Sequence, residues 1–141
     1  MLGGVKIPFP KGLAGHSDAD VLLHAVIDAL LGAAGAGDIG THFPDGDPRY
    51  KGADSLKLLE ITGRALARRF AVQNIDATLL AEAPRLGPYK NRIRAKIARA
   101  LKTSVDRISV KAKTNEGLGF VGRREGLAAL AVASLGERKH R

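Results

Sequence analysis

Asp20, His24 and Asp28 stand four residues apart within "SDADVLLHAVIDALL", residues 17–31. Steps of four carry the chain about 40° past a full helical turn, so the three form one narrow polar stripe on a helix. Most other positions are Val, Leu, Ile or Ala, the composition of a buried helix. The stripe must then face a cleft, a metal or hydrogen-bonding partners, because an unpaired buried charge is very costly. Spacing alone leaves a structural account open beside the functional one. In that account Asp20 caps the helix and Asp28 hydrogen-bonds His24.

Three further constellations could do chemistry. "GHSDAD" (15–20) places His16 and Ser17 at the start of the helix, where free backbone N–H groups and the helix dipole favour an anion. "FPDGDP" (43–48) puts Asp45 and Asp47 in a tight turn. Two carboxylates at that spacing suit a hydrated cation or vicinal hydroxyls, and equally a surface Asx-turn. "KTNEG" (113–117) follows a strand pattern with Lys113 and Thr114 as phosphate donors beside Glu116, a ligand for a hard cation.

The elements that position these residues follow from periodicity. "VKIPF" is a short strand candidate broken by Pro8. A helix is predicted over about 18–34, with Ser17 as N-cap and Asp20 three residues on as a capping-box-like partner. Residues 32–52 are too rich in Gly, Pro and Asp for regular structure and read as one long loop. Asp54 or Ser55 caps a second helix to about Phe70, with Leu56, Leu59, Thr62, Gly63 and Leu66 at helical spacing. Ile75, Ala77 and Leu79 alternate as in a strand, "APRLGP" is a turn, and a third helix runs from about Pro88 to Leu101. "RISVKAKT" is a strand, "NEGLGFVGRREG" a glycine-rich loop, and "LAALAVASL" a final strand favoured by the Gly126 flank. Strands and helices are mixed along the chain without repeat or linker, as in one α/β domain.

A chain of 141 residues with 45% hydrophobic content can build one packed core. It has no cysteine, which excludes disulfides and thiolate metal sites and leaves His, Asp and Glu as metal ligands. That fits a cytoplasmic protein. No apolar stretch reaches the length of a signal peptide core or a membrane span. Residues 1–63 carry five Lys/Arg and eight Asp/Glu, whereas residues 64–141 carry eighteen and six. The basic half implies an anionic partner, either a phosphorylated metabolite, nucleic acid or a membrane surface. With only six aromatics, base-stacking platforms are scarce and nucleic acid is not expected. Lys90, Arg92, Arg94, Lys96, Arg99 and Lys102 lie on one helix, where a solvated face is the plain explanation.

Taken together, "GGVKIP", "HSDADVLLHA", "DALLGAAGAGDIGTHFPDGDP", "KGADS", "AEAPRL" and "VKAKTNEGLGFVGRREG" make the sequence resemble the 2-C-methyl-D-erythritol 2,4-cyclodiphosphate synthases over nearly its whole length. That resemblance implies an α/β fold, an α+β two-layer sandwich in one domain. A four-stranded mixed sheet would carry helices on one side, assembled as a homotrimer with shared active sites. It implies a phosphorus–oxygen lyase of non-mevalonate isoprenoid (terpenoid) biosynthesis. The substrate would be 4-diphosphocytidyl-2-C-methyl-D-erythritol 2-phosphate, closed on itself to the cyclic diphosphate with release of CMP.

The resemblance also implies site residues. His24 matches a zinc ligand, with Asp28 able to orient it. His16 and Ser17 match residues at the substrate phosphate, and His16 with Thr114 matches the pair that stabilises the transition state. Asp38, Ile39 and Gly40, with Phe43, Pro44, Asp45, Gly46 and Asp47, match loops that bind the methylerythritol. Ala81, Glu82, Ala83, Pro84, Arg85, Leu86 and Gly87 match the cytosine pocket, which contacts the base through its backbone. Lys113, Thr114, Asn115 and Glu116 match the grip on the cytidine diphosphate, with Glu116 on magnesium or manganese. Phe120 and Arg123 match later substrate contacts.

Two departures from the family pattern stand out. The family's first strand carries Gly-x-Asp-x-His, whose Asp and His complete the zinc site, and residues 1–141 lack that strand. The resemblance then implies either a longer natural chain, such as a fusion with a cytidylyltransferase domain, or a zinc-deficient, CMP-binding trimer with little turnover. A basic nucleic-acid-binding module is the alternative from charge alone. The smaller departure is Lys113 and Asn115 where threonines are common.

Overall fold

The computed structural model describes residues 1–8 and 20–139. Helix α1 (Val21–Ala33) is followed by a single helical turn, α2 (Ile39–His42), and by helix α3 (Ser55–Leu66). Strand β1 (Phe70–Leu80), helix α4 (Lys90–Leu101) and strand β2 (Ile108–Lys113) form a strand–helix–strand crossover. The short helix α5 (Gly119–Gly122) and strand β3 (Ala128–Glu137) complete the chain. β1 is central, parallel to β2 and antiparallel to β3. An irregularity between Val72 and Asn74 shifts the β1–β3 register.

The mixed sheet therefore has three strands among the described residues, not the four expected. Residues 5–8 of "VKIPF" are not a strand: Val5 makes only an isolated antiparallel bridge to Leu2, and Phe9 lies outside the described residues. Gly3 and Gly4, with φ of 58° and 78°, turn the chain back on itself between those two residues. Left-handed φ values of this kind are open to glycine at little cost.

Alternation sets the two faces of the sheet. Ile75, Ala77, Leu79, Ile108 and Val110 point into the core. Helix α1 lies across β3 and β1, α4 lies beside β2, and α3 joins α1 to α4. Gly63 permits the last approach, since a Cβ there would stand 2.9 Å from Leu101 Cδ2. The other face of the sheet presents Leu130 and Val132, 63% and 72% exposed.

The remaining predicted elements hold with shifts: the second helix ends at Leu66 and Phe70, its expected end, opens β1, and the expected loop at "NEGLGFVGRREG" contains α5. Helix α1 starts at Val21 with Asp20 itself as N-cap, accepting the Leu23 N–H at 3.0 Å, so the predicted start at 18 is corrected; Ser17 lies outside the described residues. The predicted loop at 32–52 contains α2 and a 3₁₀ turn at Pro48–Tyr50, each started by an aspartate cap, Asp38 and Asp47. The final run is a strand, as the Gly126 flank suggested. On α4, Arg94 is not a free surface charge, for its guanidinium donates to the carbonyls of Ile108 and Val105 at 2.7 and 3.1 Å.

Candidate functional site

The polar stripe of α1 is a row of three tethers. Asp20, completely buried, accepts the N–H groups of Gly3 and Gly4 at 2.9 and 2.8 Å as well as that of Leu23. His24 Nε2 lies 2.9 Å from the Ser55 hydroxyl at the first turn of α3. Asp28 accepts the Ile39 N–H at 2.7 Å and so anchors the start of α2. The expected Asp28–His24 pairing is corrected by this bond. Ile39 is the first residue of α2, where an N–H has no partner within the helix, and Asp28 is the acceptor that meets it.

Beyond that anchor, residues 38–50 are organised by their own side chains. Asp38 accepts both the N–H and the hydroxyl of Thr41, at 3.0 and 2.7 Å. The Thr41 hydroxyl, then its N–H, hold the Asp38 carboxyl below its ordinary pKa, so it is ionised at neutral pH. His42 Nε2 meets the Ala36 carbonyl at 2.7 Å. Phe43 is buried and packs edge-on to Tyr50 with ring centres 5.0 Å apart. Asp47 caps Pro48–Tyr50 and forms an ion pair with Arg49 at 2.8 Å, which lowers its pKa. It follows that Asp47 is the Asx-type turn residue of the two sequence readings. Ile39 is half-buried, and Gly40, Pro44, Asp45 and Gly46 are exposed along the same loop.

The second grouping lies at the carboxyl ends of β1 and β2, where open α/β sheets characteristically place ligands. The strands end side by side, Leu80 opposite Lys113, and the Ala81 N–H continues the ladder to the Lys113 carbonyl at 2.9 Å. Segment 81–87 thus abuts segment 113–117. Ala81 and Leu86 are buried, Ala83 and Pro84 half-buried, and Arg85 and Gly87 exposed. The Glu82 carboxylate reaches across to the N–H groups of Asn115 and Gly117, at 2.8 and 3.0 Å. Lys113, Thr114 and Glu116 are exposed, and Thr114 Oγ1 accepts the Glu116 N–H at 3.3 Å. Among the described residues the side chains of Lys113 and Glu116 have no hydrogen bond or ion pair, so they remain free for a ligand. Phe120 is half exposed beside Gly126, and Arg123 pairs with Glu125 at 2.7 Å.

The structure therefore sorts the predicted residues into two groups, the α1 stripe with the 38–47 loop and the 81–87 loop with 113–117. No hydrogen bond or ion pair joins the two among the described residues. His16 and Ser17 lie outside those residues. A separate cleft of about 430 Å³, lined by Leu66, Phe70, Lys102, Arg107, Leu135 and Arg138 among others, opens at the opposite end of the sheet. No predicted site residue lines it.

Sequence reasoning missed Ser55 as a partner of His24, the anchoring role of Asp28 and the carboxylate of Glu82. The first was read only as a helix start. The third was assigned to a stretch whose backbone alone was expected to act.

The implied metals divide on the donor sets. Zinc needs three or four close nitrogen, sulfur or oxygen ligands. The described residues bring no three His, Cys, Asp or Glu side chains together. Zinc therefore does not fit the described residues, and His24 among them is a partner of Ser55. Glu116 is different: one free carboxylate, together with substrate phosphates and water, is the usual donor set of a magnesium-type cation.

A sequence profile of the YgbB family matches residues 1–136, and the chain belongs to that family. Its relatives include a 2-C-methyl-D-erythritol 2,4-cyclodiphosphate synthase of Geotalea uraniireducens (strain Rf4), 59% identical over 140 residues, 99% of this chain and 88% of the relative. A synthase of the same name from Clostridium perfringens (strain 13 / Type A) is 57% identical over 136 residues, 96% of this chain and 87% of the relative. Among solved structures, the bifunctional IspDF of Campylobacter jejuni superposes with a TM-score of 0.93 at 43% identity, over 99% of this chain and 38% of that one. A Plasmodium falciparum IspF in complex with CDP gives 0.84 at 30% identity, over 98% of this chain and 83% of that one.

Proposed function

We propose that the chain is a cyclodiphosphate synthase. It converts 4-diphosphocytidyl-2-C-methyl-D-erythritol 2-phosphate to 2-C-methyl-D-erythritol 2,4-cyclodiphosphate and CMP, a step of non-mevalonate isoprenoid synthesis. The observation that carries this reading is the near-complete overlap, at 57% to 60% identity, with synthases of that name. An oxygen of the 2-phosphate bonds to the β-phosphorus, the bond from that phosphorus to the bridging oxygen breaks, and CMP leaves with that oxygen. The reaction needs no enzyme nucleophile. Catalysis rests on holding the two phosphates in line and neutralising their charge.

In this reading the backbone of residues 81–87 receives the cytosine. Lys113, Thr114 and Asn115 grip the diphosphate, and Glu116 holds a magnesium or manganese ion, which supplies charge neutralisation when bound. Asp38, Asp45 and their neighbours face the sugar hydroxyls, His16 and Ser17 the 2-phosphate, and His16 with Thr114 the transition state. Phe120 and Arg123 close over the substrate. The free side chains of Lys113 and Glu116 support the assignment. The test is to incubate the purified chain with substrate and magnesium, following CMP by chromatography and the second product by phosphorus NMR. One cyclic diphosphate per CMP is expected. CMP released beside an open-chain product would replace the lyase with a hydrolase.

The homotrimer belongs to the same proposal, and it would bring the two groups of site residues together across neighbouring chains. Leu130 and Val132 leave an apolar strip on the uncovered sheet face. Beside them, Asp76 Oδ1 is buried without a partner among the described residues while Oδ2 pairs with Lys111 at 2.9 Å. Exposed apolar strips of this kind mark interfaces. Light scattering is expected at three times the chain mass of 14.9 kDa. Val132→Glu is expected to lower both the mass and the turnover; a monomer that turns over at the parent rate would remove the trimer. No helix among the described residues is long and apolar enough to cross a membrane. A cytoplasmic location belongs to the same proposal. A cytidylyltransferase domain is the fusion partner proposed, supported by the bifunctional Campylobacter relative.

A further inference from the structure

We infer that Glu82 is a positioning residue, whose carboxylate shapes the 114–117 loop to present Glu116 and Thr114 to the diphosphate and its divalent cation. The inference rests on the function proposed above and concerns a side chain to which no role but its backbone had been given.

Glu82 is the second residue beyond β1, set in place by the Ala81–Lys113 ladder bond. Its two oxygens take different N–H groups, Oε2 that of Asn115 and Oε1 that of Gly117. Those residues flank Glu116, whose φ of 52° lies in the left-handed region that side chains other than glycine rarely adopt. Gly117 continues the turn at 79°. Bonds from N–H to an ionised carboxylate are among the stronger hydrogen bonds, and two of them bracket the strained residue. On the far side the loop is closed by α5, where a Cβ on Gly122 would collide with the Gly117 carbonyl carbon. The loop is thus clamped between Glu82 and Gly122.

The electrostatics point the same way. Backbone N–H groups around a left-handed residue form a concavity that binds anions. In this chain Glu82 fills that concavity, so the N–H groups of residues 115 and 117 are unavailable to a diphosphate. The ligand must then be met by Lys113, Thr114, the side-chain amide of Asn115 and the cation at Glu116. A fixed anion beside a diphosphate site repels the ligand, a cost that the ordering of Glu116 offsets.

The experiment compares Glu82→Ala, Glu82→Gln and Glu116→Gln with the parent. It measures manganese binding by electron paramagnetic resonance with CDP present, CDP binding by calorimetry, and amide exchange at residues 115 and 117. Glu82→Ala is expected to lose amide protection at both positions and to weaken manganese binding about tenfold. Glu82→Gln, which keeps one acceptor, falls between and serves if the alanine variant does not fold. Glu116→Gln is expected to lose manganese but keep the amide protection. Parent-like manganese affinity in Glu82→Ala and Glu82→Gln, with CDP still bound, overturns the inference and leaves the function standing. A parent chain that binds no CDP overturns the function, and the inference falls with it.

Discussion

Asp20→Ala is expected to remove a large part of the folding stability, about 3–6 kcal/mol, read as a fall in the urea midpoint. The carboxylate is completely buried and accepts three backbone N–H groups, from Gly3, Gly4 and Leu23. Each buried donor left without an acceptor costs roughly 1–3 kcal/mol. The chain could relieve the first two by lifting the amino-terminal turn away from residue 20 and from Leu56 of α3 and Ile93 of α4, against which Gly4 and Gly3 lie. That would expose Leu2 and Val5, now buried at 5% and 6% exposure, at about 1.5–3 kcal/mol each. Either route consumes much of the roughly 5–15 kcal/mol that holds a domain together. Asp20→Asn should be milder, because its carbonyl can still serve the Gly3 and Leu23 N–H groups that share Oδ1. An alanine variant with the parent's midpoint would mean that Leu2 and Val5 alone hold the turn.

Asp20 also shows how far local pattern reaches. Spacing placed it on the stripe and suggested a capping role, and both hold. It could not show that the same carboxylate draws Gly3 and Gly4 into a turn, seventeen and sixteen residues away. These long-range bonds hold the tight turn at Gly3 and Gly4, which precedes residues 5–8, where a strand was expected. His24 meets Ser55 across 31 residues and Glu82 meets Gly117 across 35, again without a periodic trace. The helices and strands were legible because each buries a face with its own period. In β1 the alternation of Ile75, Ala77 and Leu79 is the burial pattern itself. The Lys113–Glu116 segment was legible by residue type. Its setting was not, for it depends on a parallel pairing that aligns Leu80 with Lys113.

Glu116→Gln should spare the fold and impair the chemistry. The side chain is exposed and has no hydrogen bond or ion pair among the described residues, and the substitution keeps its shape. The bonds that hold the loop run through the backbone of residues 115 and 117, which the change does not touch. A surface substitution of that kind stays within about 0.5 kcal/mol, so the apo melting temperature should move by only a degree or two. In the reaction, however, Glu116 is the proposed anchor of the cation at the diphosphate. An amide oxygen holds a hard cation more weakly than a carboxylate. Loss of one group stabilising charge in a transition state lowers turnover by about a hundredfold or more. The expected result is a large fall in kcat, a rise in the magnesium concentration giving half-maximal rate, and an unchanged melting curve. If the apo protein instead loses stability in step with activity, Glu116 holds the loop together and does not hold the ion. The cation would then have to be bound by oxygens outside this loop, with Asp38 and Asp45 of the other group the first to test.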